Sequence, residues 1–340
     1  MKSGIIASIL FLITFLGFYW GPQNPDADWE SKSVGELLIE LKDPAIIAHL
    51  PDTSLRGVSV ERGRELVLEG RTTKPGGGKT RRVSAYFECT ACHNIVAETE
   101  HPADLDPAQR LLYAQEHDLP YLPGSPLYGI VSRTNFYNGD YEKKYGDLVE
   151  NARNDLRGAI QLCATECSQG RPLEDWEMES VLAYLWTIDI PMSELQLSKD
   201  QKQKVKEQLS QNKIAPEAIS ILQSKYVIAY PATFVDPPKD RVAGNGWEGD
   251  VERGKLFYTQ SCLHCHGNAR YSLFELDTTV FTLRQLANRM PTYHEESVYQ
   301  VSRYGTSPLL GKGAYMPNYT LEKMSEQQLA DLRAYIMQYQ

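Results

Sequence analysis

Positive charge is in deficit. The 340 residues hold 35 Lys and Arg against 44 Asp and Glu, a formal net charge of −9. A surface with that balance repels phosphate backbones, so nucleic acid is excluded as a partner. Long hydrophobic runs are also scarce, and one stands out: Gly4 to Trp20, behind Lys2. It lacks the small residues of a cleavage site and ends in Phe18-Tyr19-Trp20, an aromatic belt of the kind found at a membrane interface. No Cys follows the run, which excludes a lipoprotein anchor. At 17 residues it reaches the short limit for a spanning helix. Residues 1–22 therefore read as a retained signal anchor, with a cleaved signal peptide as the alternative. Either way the bulk of the chain is expected on the periplasmic side, tethered to the inner membrane through residues 4–20 or released.

Cysteine is sparse, and the six that occur are ordered. Cys89-Thr90-Ala91-Cys92-His93 recurs as Cys262-Leu263-His264-Cys265-His266. Two thiols three positions apart alkylate the two vinyl groups of a haem, and the His that follows reaches the iron. A zinc site built from two CxxC pairs is the alternative. It does not call for a His directly after both pairs. Two covalently bound haem c groups are expected, on Cys89, Cys92 and His93 and on Cys262, Cys265 and His266. The remaining His residues, His49, His101, His117, His264 and His294, sit singly in polar settings and read as surface.

The composition, 42% apolar and 23% charged, suits a soluble globular protein, and the length suffices for two domains. A repeat divides the chain. Val60-Glu61-Arg62-Gly63 opens one half and Val251-Glu252-Arg253-Gly254 the other. Each half closes on a helical pattern with a shared element, Ala183-Tyr184-Leu185 and Ala334-Tyr335-Ile336. Ser325 and Gln328 form a capping box at the start of the second of these. An N-terminal helix packed on a C-terminal helix over a haem is the cytochrome c architecture. The expectation is an all-α fold: two cytochrome c domains in tandem, at 58–192 and 249–340, behind an N-terminal hydrophobic helix. Residues 23–57 form a lead-in segment. The linker, 193–248, holds helix candidates at Lys199–Leu209 and Pro216–Gln223. A basic stretch around Gly76-Gly77-Gly78, with Arg71, Lys74, Lys79, Arg81 and Arg82, is either an anion-attracting loop or a solvated surface loop.

Each iron needs a second ligand or keeps an open site. In the second half, Met316-Pro317 lies 50 residues after His266 and nine before Ser325, where a thioether ligand is expected. Met290-Pro291 is its rival, and both can also be core residues. The equivalent place in the first half has no Met-Pro pair but Cys163-Ala164-Thr165-Glu166-Cys167. Either Cys can bind iron as thiolate, or the two can form a disulfide. Met192 is a weaker candidate beyond the last helix.

Gly124-Ser125-Pro126-Leu127-Tyr128-Gly129, Ala159-Ile160-Gln161-Leu162-Cys163, Gly170-Arg171-Pro172-Leu173 and Glu177-Met178 resemble the catalytic domain of thiosulfate dehydrogenases, dihaem cytochromes related to the A subunit of SoxAX. The likeness spans roughly residues 85–190; the second half resembles a class I cytochrome c. The resemblance implies that Cys163, eight positions before Arg171, is the axial ligand and catalytic residue of the first haem. It also implies oxidoreductase activity, coupling two thiosulfates to tetrathionate or the reverse. Cys167 and Glu166 stand where Ser and Arg are expected, and the basic stretch from Arg71 to Arg82, or Arg153 and Arg157, can supply the charge. The expected partners are a small anionic sulfur compound and a redox protein, which the acidic surface would steer if that protein is basic. A non-catalytic dihaem carrier or a haem subunit of a respiratory complex explains the same motifs.

Overall fold

The computed structural model describes residue 29, residues 31–306 and residues 316–340. Among these the backbone is helix and turn, and isolated bridges such as that of Thr73 with Lys79 take the place of a sheet. The expected apolar helix at 4–20 lies outside the described residues, and no described helix is long and apolar enough to cross a membrane. In chain order the main helices are α1 (Val34–Glu40), α2 (Val60–Glu69), α3 (Pro107–Glu116), α4 (Leu156–Leu162), α5 (Asp175–Leu185), α6 (Lys199–Leu209), α7 (Pro216–Gln223), α8 (Val251–Phe257), α9 (Val280–Arg289), α10 (Val298–Tyr304) and α11 (Glu326–Met337).

The repeat is a helix crossing made twice. Ser59 caps α2 and Asp250 caps α8, each accepting from the backbone N–H three residues on. Four residues into each motif stands a glycine. A Cβ on Gly63 would fall 1.8 Å from the Ser180 carbonyl oxygen, and one on Gly254 would fall 1.9 Å from that of Asp331. Both would also meet the Cβ of the shared tyrosine, Tyr184 or Tyr335, at 2.9 Å. Helix α2 thus lies backbone-close on α5, and α8 on α11, because neither glycine has a side chain. The closing helices are capped firmly. Ser325 and Gln328 form the expected box on α11. Arg171 reaches the buried Glu177 with two hydrogen bonds of 2.6 and 2.7 Å, beside the box that Glu177 makes with Glu174.

Around each crossing an apolar core forms. Leu66, Val67, Leu156, Val181, Leu182 and Leu185 build the first. Phe257, Tyr258, Leu283, Leu329, Leu332 and Ile336 build the second, which also takes in Leu111, Ala114 and Tyr121 from α3 and the loop after it. A third core joins the lead-in to the connector: Leu37 and Leu38 of α1 and Leu41 just after it pack with Met192, Val205, Ala218 and Leu222. His49, expected at the surface, is buried here, its Nδ1 2.8 Å from the Val131 carbonyl. Arg157 is tied to Glu179 and to the carbonyls of Ala48 and Leu50.

The halves meet through a buried charged cluster. Glu98 receives Arg110 at 2.7 and 3.1 Å and Asn94 at 2.8 Å, and Lys323 of the second half lies 3.7 Å away. Burial pushes the Glu98 carboxyl up, but Arg110 and Lys323 outweigh it and hold it down at about 2.

Two predictions follow from these contacts. Gly63→Ala and Gly254→Ala each force a carbonyl away and are expected to cost about 2–4 kcal/mol. Gly76→Ala, whose Cβ meets open space, is expected to be neutral. Thermal unfolding of the haem-loaded protein measures all three, and neutral behaviour at Gly63 or Gly254 would refute the crossing. Glu98→Gln leaves the Arg110 charge unpaired and is expected to cost about 3–5 kcal/mol. Because the Glu98 carboxyl is more acidic folded than unfolded, its contribution is complete above its ordinary value of 4.5 and fades as pH falls toward about 2. The gap between the unfolding curves of parent and Glu98→Gln should therefore narrow over that range; a constant gap would show that the ion pair is not its source.

Candidate functional site

Both Cys-x-x-Cys-His segments are wound tightly enough to bring the two thiols and the imidazole to one side. Cys89–Ala91 make a 3-10 turn, closed by the Cys92 N–H on the Cys89 carbonyl at 3.2 Å, and the His93 N–H reaches the same carbonyl at 3.1 Å. In the second half, α8 continues through a π-helical turn, Tyr258–Cys262, into a short helix, Leu263–His266. The imidazoles are then oriented alike. His93 Nδ1 is 2.6 Å from the Ser125 carbonyl oxygen and His266 Nδ1 is 2.8 Å from that of Phe274. A carbonyl only accepts, so Nδ1 carries the proton and Nε2 keeps its lone pair for a metal. Burial lowers the pKa of both rings and favours this neutral form. Gly124 lets the Ser125 segment approach, since a Cβ there would fall 2.5 Å from His93 Nδ1.

One large cavity gathers most of the expected site residues of the first half. It encloses about 1730 Å³ of empty space, its mouth included, and is lined by Cys89, Cys92 and His93 together with Cys163 and Cys167. Its walls are mainly apolar, with Leu66, Leu127, Ile130 and Val181 among them. That is the environment a largely apolar macrocycle requires, so the donors and the space fit a haem. Cys163 and Cys167 are unbridged. Helix α4 ends at Leu162 and the chain goes on in a π-helical turn, Cys163–Cys167, closed by the Ser168 N–H on the Cys163 carbonyl at 2.8 Å. Such turns gather at functional sites.

The two thiols differ. Cys167 Sγ lies 3.3 Å from the Tyr137 hydroxyl and 3.1 Å from that of Tyr145. Hydrogen bonding from Cys163, and then from these phenols, pulls the Cys167 thiol well below its ordinary range against the opposing effect of burial. Cys163, as the donor of that pair and buried, is pushed up. The phenols belong to an aromatic wall in which Tyr137 packs edge-on against Tyr141 and Tyr145, with centroids 5.4 and 5.8 Å apart. Tyr137 has a backbone φ of +48°, a conformation that a bulky residue adopts only under constraint. Sequence reasoning passed over this wall; Tyr137, Tyr141 and Tyr145 at four-residue spacing were the signal. Arg133, Asn318, Thr320 and Lys323, which also line the cavity, carried no such signal.

Other expected residues fall elsewhere. Glu166, Arg71, Arg81, Arg82, Arg153 and Arg157 lie outside the cavity wall. Arg82 pairs with Glu88 and Lys79 lies 3.6 Å from Glu65, which ties the basic loop down. Met192 sits in the core between lead-in and connector. Met290 is buried in the second core, whereas Met316 packs at its edge. Thr306 fixes Met316 through the Met316 N–H on Thr306 Oγ1 at 2.7 Å and the Thr306 N–H on the Met316 carbonyl at 2.9 Å. The two attachment segments touch: Cys265 Sγ lies 4.0 Å from the Ala91 carbonyl oxygen.

Residues 249–336 match a protein-family model described as cytochrome C oxidase, cbb3-type, subunit III. No curated protein matches the chain. No solved structure matches it either. The match supports a c-type cytochrome, helical and with covalently bound haem c, whose work is electron transfer.

Proposed function

We propose that the chain is an exported dihaem cytochrome c, with Cys89, Cys92 and His93 holding one haem and Cys262, Cys265 and His266 the other. In this reading the cavity of the first half is a redox site for a small anionic sulfur compound of the thiosulfate or tetrathionate type. The observation that carries the proposal is the convergence in one cavity of the first attachment motif with Cys163 and Cys167.

The bound haems supply one-electron redox chemistry. Two such centres match the two electrons released when two thiosulfates join through one S–S bond. The chain supplies the setting. His93 and His266 present Nε2 because their Nδ1 protons are engaged by carbonyls. Cys163 would hold the iron of the first centre and serve as its catalytic residue, and Met316 would offer its thioether to that of the second. Tyr137 and Tyr145 hold proton donors at the Cys167 sulfur. The apolar walls keep bulk water from the reacting sulfur atoms. The near contact of Cys265 with Ala91 supports short-range electron passage between halves. The net charge of −9 suits a basic redox partner on the periplasmic side, with residues 4–20 as tether.

A second reading, a haem subunit of a respiratory complex, is favoured by the likeness of 249–336 to a subunit of the cbb3-type oxidase. Low-temperature EPR of the oxidised, haem-loaded protein separates the two, together with turnover of thiosulfate with an artificial acceptor and of tetrathionate with a reduced donor. The sulfur-enzyme reading expects a His/thiolate low-spin signal beside a His/Met signal, loss of the first in Cys163→Ala, and turnover in at least one direction. No thiolate signal and no turnover would leave the carrier or subunit reading.

A further inference from the structure

We infer that the second half completes the haem pocket of the first: Asn318, Thr320 and Lys323, with Arg133, form the seat for the two propionate carboxylates of the haem attached at Cys89 and Cys92. This rests on the reading that the first cavity holds a haem c.

All four side chains line that cavity, and three of them come from the far side of the domain boundary. They are 2–6% exposed. Asn318 Nδ2 and Thr320 Oγ1 are buried without a hydrogen-bond partner. A buried polar group left unmet is costly, so two on one wall point to an acceptor in the cavity. The charges agree. Arg133 and Lys323 lie over the Tyr230 ring, each 4.7 Å from its centroid. With Arg110, and with Lys144, whose Nζ donates to Asn318 Oδ1 at 2.8 Å, they make four cations around the single carboxylate of Glu98, whose oxygens already receive Arg110 and Asn94. Positive charge on this wall exceeds what Glu98 supplies, and a haem brings two carboxylates. Buried charges persist when they are paired. Burial, and then the neighbouring Arg110, pushes the Lys323 ammonium down to about 7 although Glu98 opposes it, and a further carboxylate beside it would oppose that shift more. Arg133 is already aimed, its Nη2 donating to the Tyr128 carbonyl at 2.7 Å.

A sulfur oxyanion shares this anion chemistry, but it would use the site only when added. The seat also lies two to seven residues beyond Met316, so a single stretch of chain touches both proposed haem centres.

The test uses the full-length, haem-loaded protein with no sulfur compound present. Pyridine haemochrome assay counts the haems per chain, and spectroelectrochemistry gives the midpoint potential of each. The first haem is identified as the one altered by Cys163→Ala or, if neither responds, as the one lost in Cys89→Ala/Cys92→Ala. Removing a nearby cation destabilises the extra electron. Lys323→Gln should therefore keep two haems and lower the first midpoint, cutting the reduced-to-oxidised ratio of that haem about tenfold at fixed potential. Lys323→Arg should restore it, and Thr320→Val should give a smaller shift of the same sign. Should Lys323→Gln fail to accumulate, Thr320→Val decides alone. Two haems with an unmoved first midpoint, a shift confined to the second haem, or an effect seen only in KM for a sulfur anion would each overturn the inference. A parent protein with one haem would instead defeat the dihaem reading beneath it.

Discussion

Everything else in the molecule hangs on two backbone crossings. At Gly63 and again at Gly254 one helix rests against the carbonyl oxygen of another with no side chain between them. The consequence is positional. Each Cys-x-x-Cys-His segment follows the first helix of its pair, and each proposed opposite ligand, Cys163 or Met316, precedes the second. Fixing the crossing therefore fixes the two sides of a haem relative to each other. A side chain at either glycine would spread the helices by its own thickness and move both ligands at once. This explains why the glycine of the repeated Val-Glu-Arg-Gly motif stands at the same place in both halves.

The halves are not beads on a string. Helix α3 lies in the first half of the sequence yet buries Leu111 and Ala114 in the second core. In return, the second half sends Asn318, Thr320 and Lys323 into the first cavity. Glu98 lies between these exchanges and is paired with Arg110. Such a buried pair contributes less to net stability than to uniqueness, since a shifted interface would strand a charge. The connector is drawn into the same arrangement, because α6 and α7 find their apolar partners on α1.

What was legible in the sequence was whatever depends on short spacing. The helices at 199–209 and 216–223 and the Ser325 capping box are local patterns, and each stands where its spacing puts it. The lead-in gave no sign of its role because its partners lie about 150 residues away, and apolar periodicity says that a face is buried but not against what. The same blindness hid the polar wall of the cavity. Lys323 reads as one more surface lysine until the fold buries it beside Tyr230. His49 misled for the same reason, since a lone His in a polar stretch carries no mark of the Val131 carbonyl that buries it. For the basic loop the structure favours the second of its two readings, a solvated surface loop. Its charges are conspicuous in sequence, but Glu88 and Glu65 hold two of them at the surface.

An acidic protein with a cationic cavity is physically consistent, because the two charges act over different ranges. Surface carboxylates work through water, screened beyond about 8 Å at physiological salt, and would steer a redox partner only if that partner is basic. Arg133 and Lys323 act where water is thin and screening weak, so two side chains suffice to hold an anion against a net charge of −9. The replacement of an expected base by Glu166 therefore does not decide the charge of the site. Glu166 lies off the cavity wall, and the groups that face the Cys163–Cys167 pair are phenols and Lys144. Phenols donate without adding charge. They can steady a sulfur anion while leaving the charge of the pocket to Arg133 and Lys144 of the first half and Lys323 of the second, so that both halves set the chemistry of the cavity.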